Sequence, residues 1–137
     1  MLNERLSEFT DRRTWNLSGF TLDRISLDYQ VTLLIARPHS SLMVILTQPF
    51  ALRFESHTAL ITHEAILTTV PLLRLLHTPV TSLTAFRSGQ LLLKFDAGAE
   101  IEVQKDDQYE SWQTFGEGEV ADVQMLCSPH PGAPWGG

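Results

Sequence analysis

Residues 25–35 carry the clearest structural signal of this sequence, and they read Ile25-Ser26-Leu27-Asp28-Tyr29-Gln30-Val31-Thr32-Leu33-Leu34-Ile35. Every second position is apolar, and four of the five positions between them are polar. Because successive side chains of a β-strand point to opposite faces, a period of two predicts a strand with one buried face. The pattern fits one long bent strand, or two strand arms that meet near Asp28.

The sequence on either side extends this pattern into hairpins. A segment of turn composition at 37–41 leads into an apolar strand at 42–46, and residues 50–54 alternate again after Pro49. Glycine-containing turns separate the predicted strands 80–86, 91–95 and 101–103, which form a meander. A turn at Gly116-Glu117-Gly118 separates 109–115 from 120–126, which form a last hairpin. Most of the chain is therefore expected to form antiparallel strands.

The middle of the chain differs, because its apolar residues crowd together. We predict a helix over residues 70–77, either alone or preceded by a turn that starts at Thr62, with Pro71 in its first turn and Thr68 or Thr69 as its cap. Its apolar face would consist of Leu72, Leu73, Leu75 and Leu76.

The expected fold class is α+β. We predict a mainly antiparallel, curved sheet of hairpins, partly rolled around one short central helix, in a single domain over residues 1–137. Within that domain, residues 1–14 are expected to form an N-terminal arm. Residues 129–137, which are rich in proline and glycine, are expected to form an irregular C-terminal tail.

Charge is distributed unevenly along the sequence. The net charge is −6, which argues against binding nucleic acid or an anionic membrane, because phosphate binding needs a basic surface. Residues 1–95 carry nine basic and seven acidic side chains, whereas residues 96–137 carry one basic and nine acidic side chains. The C-terminal third is therefore expected to face a basic protein partner.

The single cysteine, Cys127, excludes an intrachain disulfide and favours a reducing compartment. Residues 1–9 contain acids where a signal peptide would have a basic stretch followed by an apolar run, and no apolar run reaches the roughly 20 residues that span a bilayer. We therefore expect a cytoplasmic protein.

Acidic and aromatic residues are interspersed over residues 106–119. On a strand over 109–115, Trp112 would share a face with Glu110. One interpretation makes Trp112 a core residue and the carboxylates a solvated rim. The other makes this stretch an interface, because tight interfaces place Tyr and Trp anchors inside a charged rim. The predicted partner-binding residues are Asp106, Asp107, Tyr109, Glu110, Trp112, Glu117 and Glu119.

Catalytic chemistry has little support. The sequence contains neither a nucleophile elbow nor a phosphate-binding glycine loop. The spacing of His57, His63 and Glu64 matches no known metal motif, and Cys127 with His130 fits a packed cysteine better than a reactive thiol. We therefore expect no enzymatic activity, no cofactor and no metal ion.

Three short motifs suggest a family. They are Trp15-Asn16-Leu17-Ser18-Gly19, Gly89-Gln90-Leu91-Leu92-Leu93-Lys94-Phe95-Asp96-Ala97-Gly98, and Tyr109-Glu110-Ser111-Trp112. Over residues 15–135 the chain resembles a family of small uncharacterised bacterial proteins with W-x-L-x-G, G-x-L-x-L-x-F-x-D/N-G and Y-E-A/S-W motifs. It departs from that pattern at Ala97-Gly98 and at Pro134, where the family tends to have Asp-Gly and a second glycine.

Such proteins are similar to immunity proteins encoded beside polymorphic bacterial toxins. The resemblance implies a non-enzymatic protein that neutralises a toxin domain by binding it, and an acidic surface would steer a basic toxin into contact. One alternative is a structural or self-associating domain, such as a homodimer, that buries the strand 42–46 or the segment 59–67 between subunits. A second alternative is a small-ligand-binding protein that uses His57, His63 and Glu64.

Overall fold

The computed structural model describes residues 4–136, of which 50% lie in strands and 10% in helical segments. The strands are β1 (Leu6–Glu8), β2 (Arg12–Asn16), β3 (Thr21–Leu27), β4 (Val31–Arg37), β5 (Ser40–Leu46), β6 (Phe50–Phe54), β7 (His57–Ile61), β8 (Val80–Phe86), β9 (Leu91–Phe95), β10 (Glu100–Val103), β11 (Trp112–Glu117) and β12 (Gln124–Cys127). Two 3-10 segments cover Ile66–Leu75 and Gly118–Val120. The predicted α+β class is therefore wrong, because the protein is mostly β.

The strands form two antiparallel sheets. The larger sheet has the order β1-β2-β8-β9-β10-β6-β7, and the smaller has the order β12-β11-β5-β4-β3. Alternate residues of both sheets are buried in one hydrophobic cluster that includes Trp15, Leu33, Leu93 and Trp112. The start of β3 joins the sheets at one corner, where the Leu22 amide donates to the carbonyl of Thr78 at 3.0 Å.

The opening alternating stretch forms two arms rather than one strand. β3 ends at Leu27 and β4 begins at Val31, and in the turn between them Oδ1 of Asp28 accepts a hydrogen bond from the Gln30 amide at 3.1 Å. Tyr29 shares the period of the buried residues but is 93% exposed. Because the chain reverses in this turn, the alternation of apolar and polar residues does not predict which side chains are buried there.

The helix predicted over 70–77 is instead a 3-10 segment that begins four residues earlier. The β-branched run Thr68-Thr69-Val70 disfavours an α-helix, and Pro71, inside the segment, can neither donate an amide hydrogen bond nor fit beneath the carbonyl four residues back. The Thr69 hydroxyl donates to the carbonyl of Ile66 at 2.6 Å. The segment packs beside the edge strand β7, so the prediction of a sheet rolled around a central helix is also wrong.

The predicted N-terminal arm and the predicted C-terminal tail differ in structure. Within the region predicted as an arm, β1 pairs with β2; residues 1–3 lie outside the described residues. Residues 128–136 contain neither strand nor helix, and Gly137 also lies outside the description. Within residues 4–136, no helix is long and apolar enough to cross a membrane.

Candidate functional site

The loops at one end of the two sheets line two open, neighbouring clefts of about 630 and 510 Å³. The first is lined by Tyr29, Thr47, Gln48, Pro49, Thr62, His63, Glu64, Ala65 and Tyr109. The second is lined by Thr47, Gln48, Gln108, Tyr109, Glu110, Ser128, Pro129 and His130. Three residues, Thr47, Gln48 and Tyr109, belong to both, so we treat the two clefts as one tyrosine groove.

Hydrogen bonds hold the loop that presents Tyr109. The Asp106 carboxylate accepts from the amides of Gln108 and Tyr109, each at 2.8 Å, and thereby forms a turn of the type that Asp side chains favour. The Thr47 hydroxyl donates to the Glu110 carbonyl at 2.6 Å, and the Thr47 amide donates to the Ser111 carbonyl at 3.1 Å. Tyr109 is 63% exposed on this loop, so its ring is available to a partner.

Tyr29 is a groove residue that the sequence interpretation missed. Period two assigns it to the apolar face of the alternating stretch, whereas the structure places it at the tip of the β3–β4 turn, where it lines the first cleft. Asp28, one residue earlier, was the available signal, because Asp side chains favour turns by bonding the backbone two residues on.

The groove carries negative charge. Glu64 and Glu110 line it, and Asp107, which precedes Gln108, is exposed. Among residues 4–136, neither lysine nor arginine lines the two clefts. Lys105 is not a lining residue, although its ammonium group contacts the His130 carbonyl at 3.4 Å.

The predicted acidic residues form two separate groups. Asp106, Asp107 and Glu110 precede β11, whereas Glu117 ends it and Glu119 follows in the short 3-10 segment. At about 3.3 Å per residue, the length of β11 separates the two groups by roughly 20 Å. Of the seven predicted residues, Tyr109 and Glu110 line the clefts, whereas Glu117 and Glu119 lie at the far end of β11.

Several acidic side chains of the C-terminal third form ion pairs or hydrogen bonds with side chains of residues 1–95. Glu119 pairs with Arg37 at 3.3 Å and with Arg5 at 3.5 Å. The Asp122 carboxylate accepts from the Trp15 indole at 3.0 Å. Arg53 of β6 pairs with Glu100 at 3.2 Å and also with Glu102. The charge asymmetry along the sequence is therefore only partly an asymmetry of the surface.

Trp112 belongs to the core. It is fully buried, and its indole nitrogen donates to the Gly89 carbonyl at 2.8 Å. Along β11 the buried positions are Trp112, Thr114 and Gly116, while Gln113, Phe115 and Glu117 lie on the more exposed face. Trp112 offers no surface to a partner in this arrangement, so it does not enter the surface that we propose below.

The remaining candidates do not form a metal or thiol site. His63 and Glu64 line the groove, but His57 stacks on Phe54 with ring centroids 5.2 Å apart. Within residues 4–136, no group of three His, Cys, Asp or Glu side chains is placed to hold a metal ion. Cys127 is buried, and its thiol donates to the Gly89 carbonyl at 3.3 Å.

Comparison with known proteins identifies the family of this chain. No curated protein and no solved structure matches it. The model of a family of unknown function, DUF6188, matches residues 14–134. That match runs from β2 to the residue before Trp135 and includes every loop that lines the groove. The chain therefore belongs to the DUF6188 family of unknown function.

Proposed function

We propose that this protein is a non-enzymatic binding module that takes a basic segment of a protein partner into the tyrosine groove. One observation carries the proposal: Tyr109 is 63% exposed and lines both clefts, with Glu64 in the lining of the first and Glu110 in the lining of the second. Exposed tyrosines supply large contact area at low entropic cost, and nearby carboxylates steer a basic partner and match its charge.

We further propose that the partner is a bacterial toxin domain, so that the protein acts as a cytoplasmic immunity protein. This narrower proposal is supported by the resemblance to proteins encoded beside polymorphic toxins and by the acidic groove. A basic active site, such as that of a nuclease, would offer a segment of suitable charge.

The first experiment is co-expression with the C-terminal domain of the large secreted protein expected from the preceding reading frame. We expect the two chains to purify as a complex and the toxic activity of that domain to be blocked. A preceding frame that encodes no such protein, or a domain that does not bind, would contradict the immunity role.

The location of the interface is tested with variants of the groove. Because central aromatic anchors dominate binding energies, Tyr109→Ala should weaken the complex by about 30-fold or more. The double variant Asp107→Asn, Glu110→Gln should mainly slow association and reduce its dependence on salt. Titration calorimetry and stopped-flow binding measure these two effects.

A matched control makes the same change in charge elsewhere. The double variant Asp96→Asn, Glu117→Gln alters two exposed carboxylates outside the groove, one in the β9–β10 turn and one at the far end of β11. It should leave the association rate within about twofold, because screening limits its influence at that distance. Equal effects of the two double variants would show that net charge, not the groove, governs binding.

A further inference from the structure

The 3-10 segment Ile66–Leu75 presents an apolar row of side chains to solvent. With three residues per turn, residues three apart lie in one row. Thr69, Leu72 and Leu75 form the row that faces the core, at 3%, 0% and 2% exposure. The next row consists of Leu67, Val70 and Leu73, which are 81%, 53% and 52% exposed. We call these last three residues the apolar ridge.

The surroundings of the ridge favour a contact with protein rather than with water. Ile66, at the start of the segment, is 53% exposed, and Leu60 of β7 is 64% exposed. No charged residue lies between Glu64 and Arg74. Clustered exposed apolar side chains mark interaction sites, and depletion of charge marks the centre of protein interfaces.

We propose that the ridge is the contact between two copies of this chain. The ridge has leucine at both ends and valine in the middle. A two-fold axis that is perpendicular to the segments and passes between the Val70 residues of the two copies would set the two ridges antiparallel. Leu67 would then face the second copy's Leu73, and Val70 would face its own counterpart. A two-fold interface requires such self-complementarity, because the same patch must serve both subunits. An unrelated partner would not require this symmetry.

The charges at the two ends of the ridge complement each other across the same axis. Glu64 lies six residues before Val70, and Arg74 lies four residues after it. Because Glu64 precedes the segment and Arg74 lies near its end, the antiparallel arrangement would place Glu64 of one copy at the end that carries Arg74 of the other. Arg74 is exposed at this end, with its guanidinium 4.5 Å from the centre of the Phe54 ring. Opposite charges would thus flank an apolar centre at both ends.

The first test is sedimentation equilibrium of the full chain over the micromolar range. We expect the mass to rise with concentration from one copy to two. Val70→Lys, which would place two ammonium groups together on the axis, should abolish that rise. Phe115→Lys changes a similarly exposed residue, at 43% exposure, on β11, and it should leave the rise unchanged. Circular dichroism and the melting temperature establish that both variants are folded.

The second test checks the register with disulfides. Val70→Cys should cross-link with itself under mild oxidation, whereas Leu67→Cys should cross-link with Leu73→Cys in a mixture far faster than either does alone. Native Cys127 is buried at 3% exposure and should not compete. A wild-type chain that stays monomeric throughout overturns the proposal, and this result would leave the ridge to a different protein. A dimer that withstands Val70→Lys, or an unselective pattern of cross-links, overturns it as well.

Discussion

At the scale of single residues, the Gly89 carbonyl organises one side of the core. It accepts from the Trp112 indole at 2.8 Å and from the Cys127 thiol at 3.3 Å. A Cβ at Gly89 would lie 2.9 Å from the side chain of Lys105 and 3.1 Å from the Cys127 sulfur, and the φ angle here is +103°. Glycine is therefore required, for space and for backbone conformation.

Replacing Trp112 tests whether this residue serves the core or a partner. We expect Trp112→Phe to lower the free energy of unfolding by about 2 kcal/mol, because the smaller ring leaves a void and Gly89 loses its shorter hydrogen bond. Urea denaturation measures the change, and Gln113→Ala on the opposite face of β11 is the control. Unchanged stability together with lost partner binding would return Trp112 to the interface.

Cys127 makes a prediction about pH. Burial raises the pKa of its thiol, while the nearby Ser111 hydroxyl and the Lys105 charge act in the opposite direction. The thiol therefore ionises at lower pH in the unfolded chain than in the folded one. Its contribution to stability is complete below the unfolded pKa and is lost as pH rises from that value through the folded pKa.

We accordingly expect the free energy of unfolding to fall in the alkaline range, and to fall less steeply in Cys127→Ala than in the wild type. Urea titrations at a series of alkaline pH values, run on both proteins, measure this difference. Parallel curves for the two proteins would show that the thiol does not ionise differently on unfolding.

At the scale of elements, the connection from β11 to β12 depends on a close backbone approach. The sequence interpretation placed Gly116 in a turn, whereas the structure places it inside β11. A Cβ there would lie 1.8 Å from the Val120 carbonyl oxygen. The Gln124 side chain also donates to the Gly116 carbonyl at 2.7 Å. The strand and the short 3-10 segment after it therefore pack together only if this position is glycine.

Gly116→Ala should consequently destabilise the fold by about 3 kcal/mol or more, because backbone atoms must move to admit the methyl group. The control is Gly98→Ala, whose Cβ would meet nothing closer than the Glu55 side chain at 3.6 Å and whose φ is +84°. That variant should cost only about 1 kcal/mol of backbone strain. Thermal and urea unfolding of the two variants give the comparison, and similar losses would contradict it.

At the scale of the whole molecule, the C-terminal tail connects the two sheets. The Trp135 ring contacts the guanidinium groups of Arg13 at 4.8 Å and Arg87 at 5.5 Å, both on the side of the larger sheet. The Leu126 amide of β12, in the smaller sheet, donates to the Pro134 carbonyl at 3.2 Å. The tail has an irregular backbone, yet it contacts residues of both sheets.

We expect Trp135→Ala to lower the free energy of unfolding by about 2 kcal/mol, through lost apolar contact and two lost cation–π interactions. Trp135→Phe keeps an aromatic ring and should lose less than half of that. Hydrogen exchange should show the larger increase near β12 in the alanine variant. An unchanged melting temperature for Trp135→Ala would show that the tail contributes nothing to stability.

Much of the β architecture was predictable because its cues are local. Period two identified the arms of β3 and β4, and glycine-containing turns located the β8–β9–β10 meander near its observed bounds. The segment after β6 was harder. β7 has only one fully buried residue, Ile61, and the crowded leucines that follow satisfy a helical period and a three-residue period almost equally. Pro71 and the β-branched run before it disfavour the α-helix, and the segment forms a 3-10 helix.

The sequence by itself determined that this protein is a chain of hairpins with an acidic, aromatic C-terminal third, because strand period, turn composition and charge are written residue by residue. Only the tertiary structure decided which of those acids share a surface. The length of β11 separates Glu110 from Glu117. Folding brings Arg5 and Arg37 to Glu119, and it brings Arg53 to Glu100 and Glu102. It also buried Trp112 while leaving Tyr29 and Tyr109 exposed in one groove. These outcomes depend on contacts between residues far apart in the chain, and no local pattern encodes them.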